Sequence, residues 1–325
     1  MELAVVSPSN RIRLGIAFGM GAGALWGLVF LAPELARAFT PLQLAIGRYL
    51  AYGLLSVALI APRWRLLTTI LTRRDWLSLL WLSLAGNTLY YILLSTAVQT
   101  GGIAMTSLVI GFLPVAVTII GSRESGAVPL RLLAPSLLLC TAGVVCIGWQ
   151  ALAEPAAGAA QLIGLFCAIG ALVSWTAFAV GNSRCLARLD RVSAQDWNLL
   201  IGLVTGAQAV ALIPVTLSFE PIRHQAAAWL QLAGVSVGIA LLASIVANSL
   251  WNRMSGCLPP TLAGQMTLFE PLFALIYGFL WERRLPLPLE LAAFGLVVAS
   301  VLSCIAAHRR HRPSIAEKGA IRRAA

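Results

Sequence analysis

Ten apolar stretches of about twenty residues each follow one another along this chain, and no other feature limits its fold as tightly. They run over roughly 14–32, 42–61, 76–97, 102–121, 131–151, 161–181, 195–217, 228–250, 259–281 and 287–307. At a helical rise of about 1.5 Å per residue, each can cross the hydrocarbon of a bilayer. Lipid offers no hydrogen-bonding partner, so a crossing segment must satisfy its own N–H and C=O groups, as a helix does. Barrel strands are about half as long and alternate in polarity. The expectation is therefore an all-α integral membrane protein with ten transmembrane helices. Composition agrees: 11% of the 325 residues are charged and 59% are hydrophobic, whereas soluble domains carry about 25% charged residues. Segment 14–32 is long enough to span and reads as a retained helix.

The remaining charges orient the chain. With the N-terminus placed in the cytoplasm, eighteen of the 23 Lys and Arg residues fall in cytoplasmic gaps or the tail, and Arg37, Arg223, Arg283 and Arg284 fall outside. Arg48 lies within a segment. Cytoplasmic loops collect Lys and Arg, so both termini are expected inside a bacterial inner membrane, which requires an even number of crossings. The same distribution accounts for the net charge of +11 without nucleic acid, which calls for basic residues gathered on one face. The tail, 308–325, is basic and polar and suits solvation or lipid headgroups. Trp64, Trp76, Trp149, Trp197, Trp229 and Trp281 stand near segment ends, as an interfacial belt requires. Six cysteines lie in or beside apolar segments and read as small buried hydrophobes. The three histidines have no metal-ligand spacing, so neither metal nor cofactor is expected.

The two halves echo each other in order. Gly86-Asn87-Thr88-Leu89-Tyr90 parallels Ala247-Asn248-Ser249-Leu250-Trp251, and Phe112-Leu113-Pro114 followed by Glu124 parallels Phe269-Glu270-Pro271 followed by Glu282. Gly23-Ala24-Leu25-Trp26 is echoed by Gly170-Ala171-Leu172 with Trp175. Five segments per half is an odd number, so the second half must enter the membrane upside down. The expected units are 1–153 and 154–307, an inverted pair of five-helix repeats, followed by the cytoplasmic tail 308–325. Inverted repeats of this kind characterise transporters with alternating access; a duplication retained for stability alone is the alternative.

Ala24-Leu25-Trp26-Gly27, Arg48-Tyr49, Pro114, Glu270-Pro271, Trp281-Glu282-Arg283 and Gly295 carry a resemblance to the EamA-type members of the drug/metabolite transporter superfamily. It extends over roughly 14–307. Arg123-Glu124-Ser125 departs from the usual Gly-Glu ending of the first repeat. The resemblance implies a basket-like fold of five plus five helices and secondary transport, often export, of amino acids, other metabolites or drugs. The expected partners are a small-molecule substrate, membrane lipids and protons.

Several polar residues within the segments are candidates for that work. Glu270 is placed at the middle of the ninth segment, where a carboxylate costs about 2.5–3.5 kcal/mol on insertion scales. It is a candidate for proton coupling or for meeting a cationic substrate group. The bland alternative is a bond to backbone freed by Pro271, whose ring removes a helical hydrogen bond. Arg48 lies about 9 Å inside the second segment, placed to meet a substrate carboxylate or Glu270, or to snorkel outward. Asn87 with Tyr91, and Asn248 with Asn252, are spaced by four and so share helix faces that must meet helices or a cavity. Trp26, Trp175, Trp251 and Tyr277 are candidates for an aromatic cavity wall, with core packing as the alternative. Pro114 and Pro271 are candidate hinges. Gly15, Gly19, Gly23 and Gly27 recur every four residues, a face for close helix packing.

The chain has no G-x-x-x-x-G-K-[ST] phosphate loop and no H-E-x-x-H, which argues against direct ATP coupling and against a zinc-dependent intramembrane hydrolase. The expectation is a secondary transporter exporting amino acids or related metabolites, not an enzyme. A multidrug or cationic-compound exporter and an intramembrane enzyme are the alternatives.

Overall fold

The structure is a computed structural model that describes residues 8–121, 130–153, 158–186, 188–189, 191–219, 224–258, 266–267 and 269–311. Arg123-Glu124-Ser125 and the tail from 312 lie outside the described residues. Among the described residues every regular element is helical. In chain order these are α1 (Pro8–Leu35), α2 (Pro41–Ile60), α3 (Trp64–Ile70), α4 (Arg73–Ser83), α5 (Leu89–Ile110), α6 (Leu113–Gly121), α7 (Leu130–Ala153), α8 (Gly158–Leu186), α9 (Ala194–Phe219), α10 (Ala226–Ile239), α11 (Ala247–Cys257), α12 (Phe269–Glu282) and α13 (Pro288–His311). π-Helical turns at Leu84–Thr88 and Ala240–Val246 join α4 to α5 and α10 to α11.

Among the described residues, six stretches are long and apolar enough to cross a membrane: Ile12–Leu35, Pro41–Ile70, Arg73–Ile110, Gly158–Leu186, Ala194–Ser218 and Ala226–Cys257. Arg131–Gly143 and Pro288–Ser300 are shorter apolar helices. A straight 38-residue helix over Arg73–Ile110 would reach far beyond a hydrocarbon core about 30 Å thick. Gly102 resolves the excess: its φ of 85° and ψ of 164° interrupt the helix within α5. Only glycine adopts that conformation without strain.

Local sequence sets the helix starts. Thr40 caps α2 and Thr72 caps α4, each in a reciprocal capping box closed by Gln43 and Asp75. These side chains satisfy backbone donors that a helix N-terminus leaves orphaned. The helices then pair along four main seams: α1 with α11 and α12, α5 with α8, α2 with α9, and α7 with α13. Small residues make these seams close. A Cβ on Gly53 of α2 would stand 2.7 Å from the Gly206 Cα of α9. The glycine face of α1 meets Leu258, Met266, Phe269 and Ala274, the close contact that its spacing of four anticipated.

Two sequence expectations are corrected here. Trp197 is no interfacial residue: it is 1% exposed, lies in a core cluster with Leu79, Leu82 and Leu200, and donates its indole N–H to Asn182 at 2.7 Å. Nearness to a segment end does not say which way a side chain faces. Trp64, Trp149, Trp229 and Trp281 are exposed, as a belt requires. Glu270 and Pro271 do not stand at mid-helix either, because α12 begins at Phe269 and its first turn contains both. Pro114 is likewise in the first turn of α6, after the turn at Gly111–Phe112. A missing N–H costs a helix nothing at these positions, so both prolines mark starts of helical pieces rather than kinks within them.

Candidate functional site

Arg48 occupies the centre of the site. It is 8% exposed, and its Nε and Nη1 are buried without a hydrogen-bond partner. The guanidinium carbon lies 4.3 Å from the Tyr91 ring centre and 5.2 Å from that of Tyr49. Cation–π attraction over two rings offsets part of the cost of burying the charge. The arginine therefore does not snorkel. Its neighbours are fixed from outside the site: the Tyr49 hydroxyl donates to the Asn87 carbonyl at 2.9 Å, and the Tyr52 hydroxyl donates to the Asn198 carbonyl at 2.7 Å.

Glu270 is half-buried, and none of the ion pairs among the described residues involves its carboxyl. Its charge and that of Arg48 act on each other without a salt bridge between them. Both also act on Tyr90, whose ring packs 6.5 Å from Trp175. Opposite charges are thus held apart among aromatic rings.

Of the other aromatic candidates, Trp26 and Trp175 pack against the cluster that holds this centre, and Trp251 and Tyr277 reach it through their neighbours. Trp26 and Trp251 pack at 5.2 Å between ring centres, and the Trp26 indole donates to the Ala243 carbonyl at 3.0 Å. That carbonyl belongs to a π-helical turn, where helical bonding is irregular and oxygens are left for side chains. Tyr277 stacks on Phe273 at 6.0 Å and donates to the Ala24 carbonyl at 3.1 Å. Trp26, Tyr49, Tyr90, Tyr91 and Trp175 share one core cluster with Ala274 of α12.

The asparagines have other tasks. The Asn87 amide donates to Thr205 at 3.1 Å. The Asn248 amide donates to the Asn198 side chain at 3.1 Å and to the Ser244 carbonyl at 2.8 Å. Both are interhelical ties, and Asn252 is exposed. The residues that sequence reasoning missed are Tyr49, Tyr90 and Ser95. Tyr49 follows Arg48, and Ser95 stands four residues after Tyr91 and so shares its helix face, but neither type is rare enough in apolar segments to announce itself.

A separate cavity of about 350 Å³ lies at one end of the bundle, lined by Glu34, Arg37, Gln99, Gly102, Trp281 and Glu282 among others. None of the residues proposed from the sequence for a substrate cavity, for coupling or for a hinge lines it, although Trp281 and Glu282 belong to the motif that carries the family resemblance. Beyond it, Arg284 binds Glu290 through two bonds of 2.6 Å and Glu282 at 2.5 Å. The bonds to Glu290 hold the Arg284 pKa well above its ordinary value.

Comparison with known proteins places these residues in context. Residues 13–149, and again 162–306, match the EamA-like transporter family. Over 311 residues the chain is 30% identical to a protein of Escherichia coli (strain K12) named "Inner membrane protein YtfF", a match covering 90% of this chain and 95% of that one. A solved crystal structure 19% identical in sequence has the same fold, with a TM-score of 0.60 over 92% of this chain and 98% of that one.

Proposed function

This chain belongs to the EamA-like transporter family, and from that premise we propose that it is a secondary transporter of a bacterial inner membrane, exporting amino acids or related small metabolites by alternating access. The observation that carries this reading is the pair of opposite charges at the centre: Arg48 buried with donors unused, and Glu270 half-buried without a cationic partner among the described residues. Charges left unmatched inside a membrane bundle are costly and mark solute or ion paths. A zwitterion would complete both at once.

The proposed topology is ten crossings in two inverted five-helix repeats, 1–153 and 154–307, with both termini cytoplasmic. One family matches both halves. The seams are also those that a two-fold relation demands. α1 lies against α11 and α12 as α8 lies against α5, while α2 with α9 and α7 with α13 pair equivalent helices. The ring pairs Trp26–Trp251 and Trp175–Tyr90 join positions that the sequence echo relates. Helical pieces beginning beside Pro114 and Pro271 resemble the broken helices that transporters use at binding sites.

Glu270 is proposed as the proton-coupling group. The test is counterflow of pooled labelled amino acids in proteoliposomes, comparing the wild type with Glu270→Gln, with and without a pH gradient. The expected variant still exchanges substrate but no longer responds to the gradient. Absence of counterflow for every amino acid would refute the substrate class. A cation exporter is the second reading, favoured by the lack of a cationic partner at Glu270; it requires Glu270→Gln to abolish transport of organic cations and spare zwitterions.

A further inference from the structure

The unused donors around Arg48 specify more than a charge. Nearly all buried polar groups in folded proteins have a hydrogen-bond partner, and each orphan calls for an explanation. Among the described residues, five buried side-chain atoms lack one: Gln43 Nε2, Arg48 Nε, Arg48 Nη1, Ser56 Oγ and Ser95 Oγ. Three of the five belong to Arg48 and Ser95, which meet at one ring. Tyr91 lies under the guanidinium at 4.3 Å, its hydroxyl interacts with both the guanidinium and the Ser95 hydroxyl without meeting hydrogen-bond geometry at Ser95 Oγ, Arg48 Nε or Arg48 Nη1, and Ser95 is one turn further along the same face of α5. Ser95 is fully buried. A serine within a helix ordinarily bonds the carbonyl four residues back, as Thr96 and Thr100 beside it do at 2.8 and 2.6 Å. Ser95 does not.

The aromatic rings do not complete Arg48. A ring attracts the face of a guanidinium, while its N–H groups point outward along its edges. Nε and Nη1 stand on different edges, so whichever edge faces an approaching group carries an unused donor. The ligand must therefore be an acceptor and, next to a cation, an anion. Its charge is limited too. Glu270 acts electrostatically on Arg48, so a dianion such as a phosphate would meet one positive charge and one negative. A carboxylate brings one charge and two oxygens with about four acceptor positions, enough for Nε or Nη1, the rest of that edge and the Ser95 hydroxyl.

We infer that Arg48 and Ser95, set on either side of the Tyr91 hydroxyl, form the subsite that receives the carboxylate of the transported solute. The inference deepens the transporter reading and rests on it. Arg48 supplies the charge. Ser95 supplies a neutral donor whose position discriminates a carboxylate from an amide of the same shape, because a buried donor left facing an amide N–H is not satisfied.

The test is ligand-induced thermal stabilisation of the purified, detergent-solubilised full chain, using L-amino acids and their carboxamides as matched probes. No compartment or gradient is involved. A protein that binds acids but gives no counterflow would sink the transporter reading and leave the subsite standing, and the converse failure is equally visible. The wild type should be stabilised by acids and not by the corresponding amides. Ser95→Ala keeps the shape of the site and should raise the half-saturating acid concentration by about fivefold; Arg48→Lys keeps the charge and should raise it by about tenfold or more. Should Arg48→Lys fail to fold, Ser95→Ala decides alone. Equal stabilisation by acids and amides, an unchanged half-saturating concentration in Ser95→Ala, or no stabilisation by any acid would each overturn the inference; the last would leave water alone on these donors.

Discussion

Gly53→Ala tests the seam on which the site is built, because α2 carries Arg48 and crosses α9 where Gly53 meets Gly206. The added Cβ would stand 2.7 Å from the Gly206 Cα, while ordinary contact begins near 3.4 Å. The obstacle is backbone, so no rotamer change relieves it, and the two helices must part by roughly 0.7 Å. Overpacking of this kind costs about 1–3 kcal/mol. Alanine returns about 0.5–1 kcal/mol through its better helix propensity, so the net loss expected is at most about 2.5 kcal/mol. Gly234→Ala is the matched control. Gly234 is helical in α10 and a Cβ there meets nothing within 4 Å, so only the propensity gain remains. The two variants should therefore differ by about 1–3 kcal/mol, or roughly 5- to 150-fold in the unfolding equilibrium. The propensity contribution cancels in that difference. Unfolding by dodecyl sulfate titration in mixed micelles, followed by circular dichroism, measures both. If Gly53→Ala proves as stable as Gly234→Ala, α2 and α9 do not touch at their glycines and the argument for this seam fails.

Two further outcomes follow from local geometry. Gly102→Ala should destabilise by about 1–3 kcal/mol for conformational reasons alone, since the new Cβ has room, with Glu282 Oε1 3.8 Å away; the same titration reads it, and a neutral result would show that the helix is not interrupted there. Glu290→Gln should cost about 1–3 kcal/mol, because the carboxylate accepts two bonds from Arg284 and one from the Leu287 N–H at 2.7 Å. The bonds to Glu290 raise the Arg284 pKa above its ordinary value. A raised pKa contributes stability that is complete below the unfolded value and fades only above it. The Arg284 contribution should thus be constant through neutral and mildly alkaline pH, and a melting temperature that changed with pH only when Glu290 is present would contradict this.

The helices were legible in the sequence because lipid leaves a long apolar segment one way to satisfy its backbone, and the break at Gly102 falls where the fourth segment begins. What stayed hidden is set by neighbours rather than by composition. Nothing in Leu84–Thr88 or Ala240–Val246 announces a π-helical turn, because the extra residue is stabilised by acceptors satisfied from other helices: Ser174 binds the Ala85 carbonyl at 2.7 Å and Asn198 the Ser244 carbonyl at 3.2 Å. Arg48 and Glu270 were visible because charge is rare in such segments. Ser95 was not, since a serine four residues from a tyrosine looks the same whether or not its hydroxyl is satisfied. The spacing of the asparagine pairs fits helices or a cavity equally, and only the positions of Thr205 and Asn198 decide for helices at Asn87 and Asn248.

The same bonds determine which bodies can rock in the proposed transport cycle. If the two halves of the sequence moved against each other, the bonds Trp26 to Ala243, Tyr52 to Asn198, Ser174 to Ala85 and Asn87 to Thr205 would all be at risk in every turnover, at about 1 kcal/mol each. Groups drawn from both halves avoid most of that loss. α1 runs along α11 and α12, and α5 runs along α8, so each set keeps its long seam and the sets move relative to each other. Two contacts of equal closeness separate these alternatives. A Cβ on Gly27 of α1 would stand 3.0 Å from the Phe273 Cβ within one set, and a Cβ on Gly278 of α12 would stand 3.0 Å from the Ile103 Cβ of α5, across the two sets. Both are within a small adjustment of the roughly 3.5–4.5 Å that a disulfide spans. Cysteine pairs at 27 and 273, and at 278 and 103, should therefore oxidise alike. Counterflow, compared with each pair's own reduced form, should survive the first cross-link and stop with the second. Arrest by the first would mean that α1 slides on α12 during transport, and free turnover through the second would mean that α12 and α5 travel together.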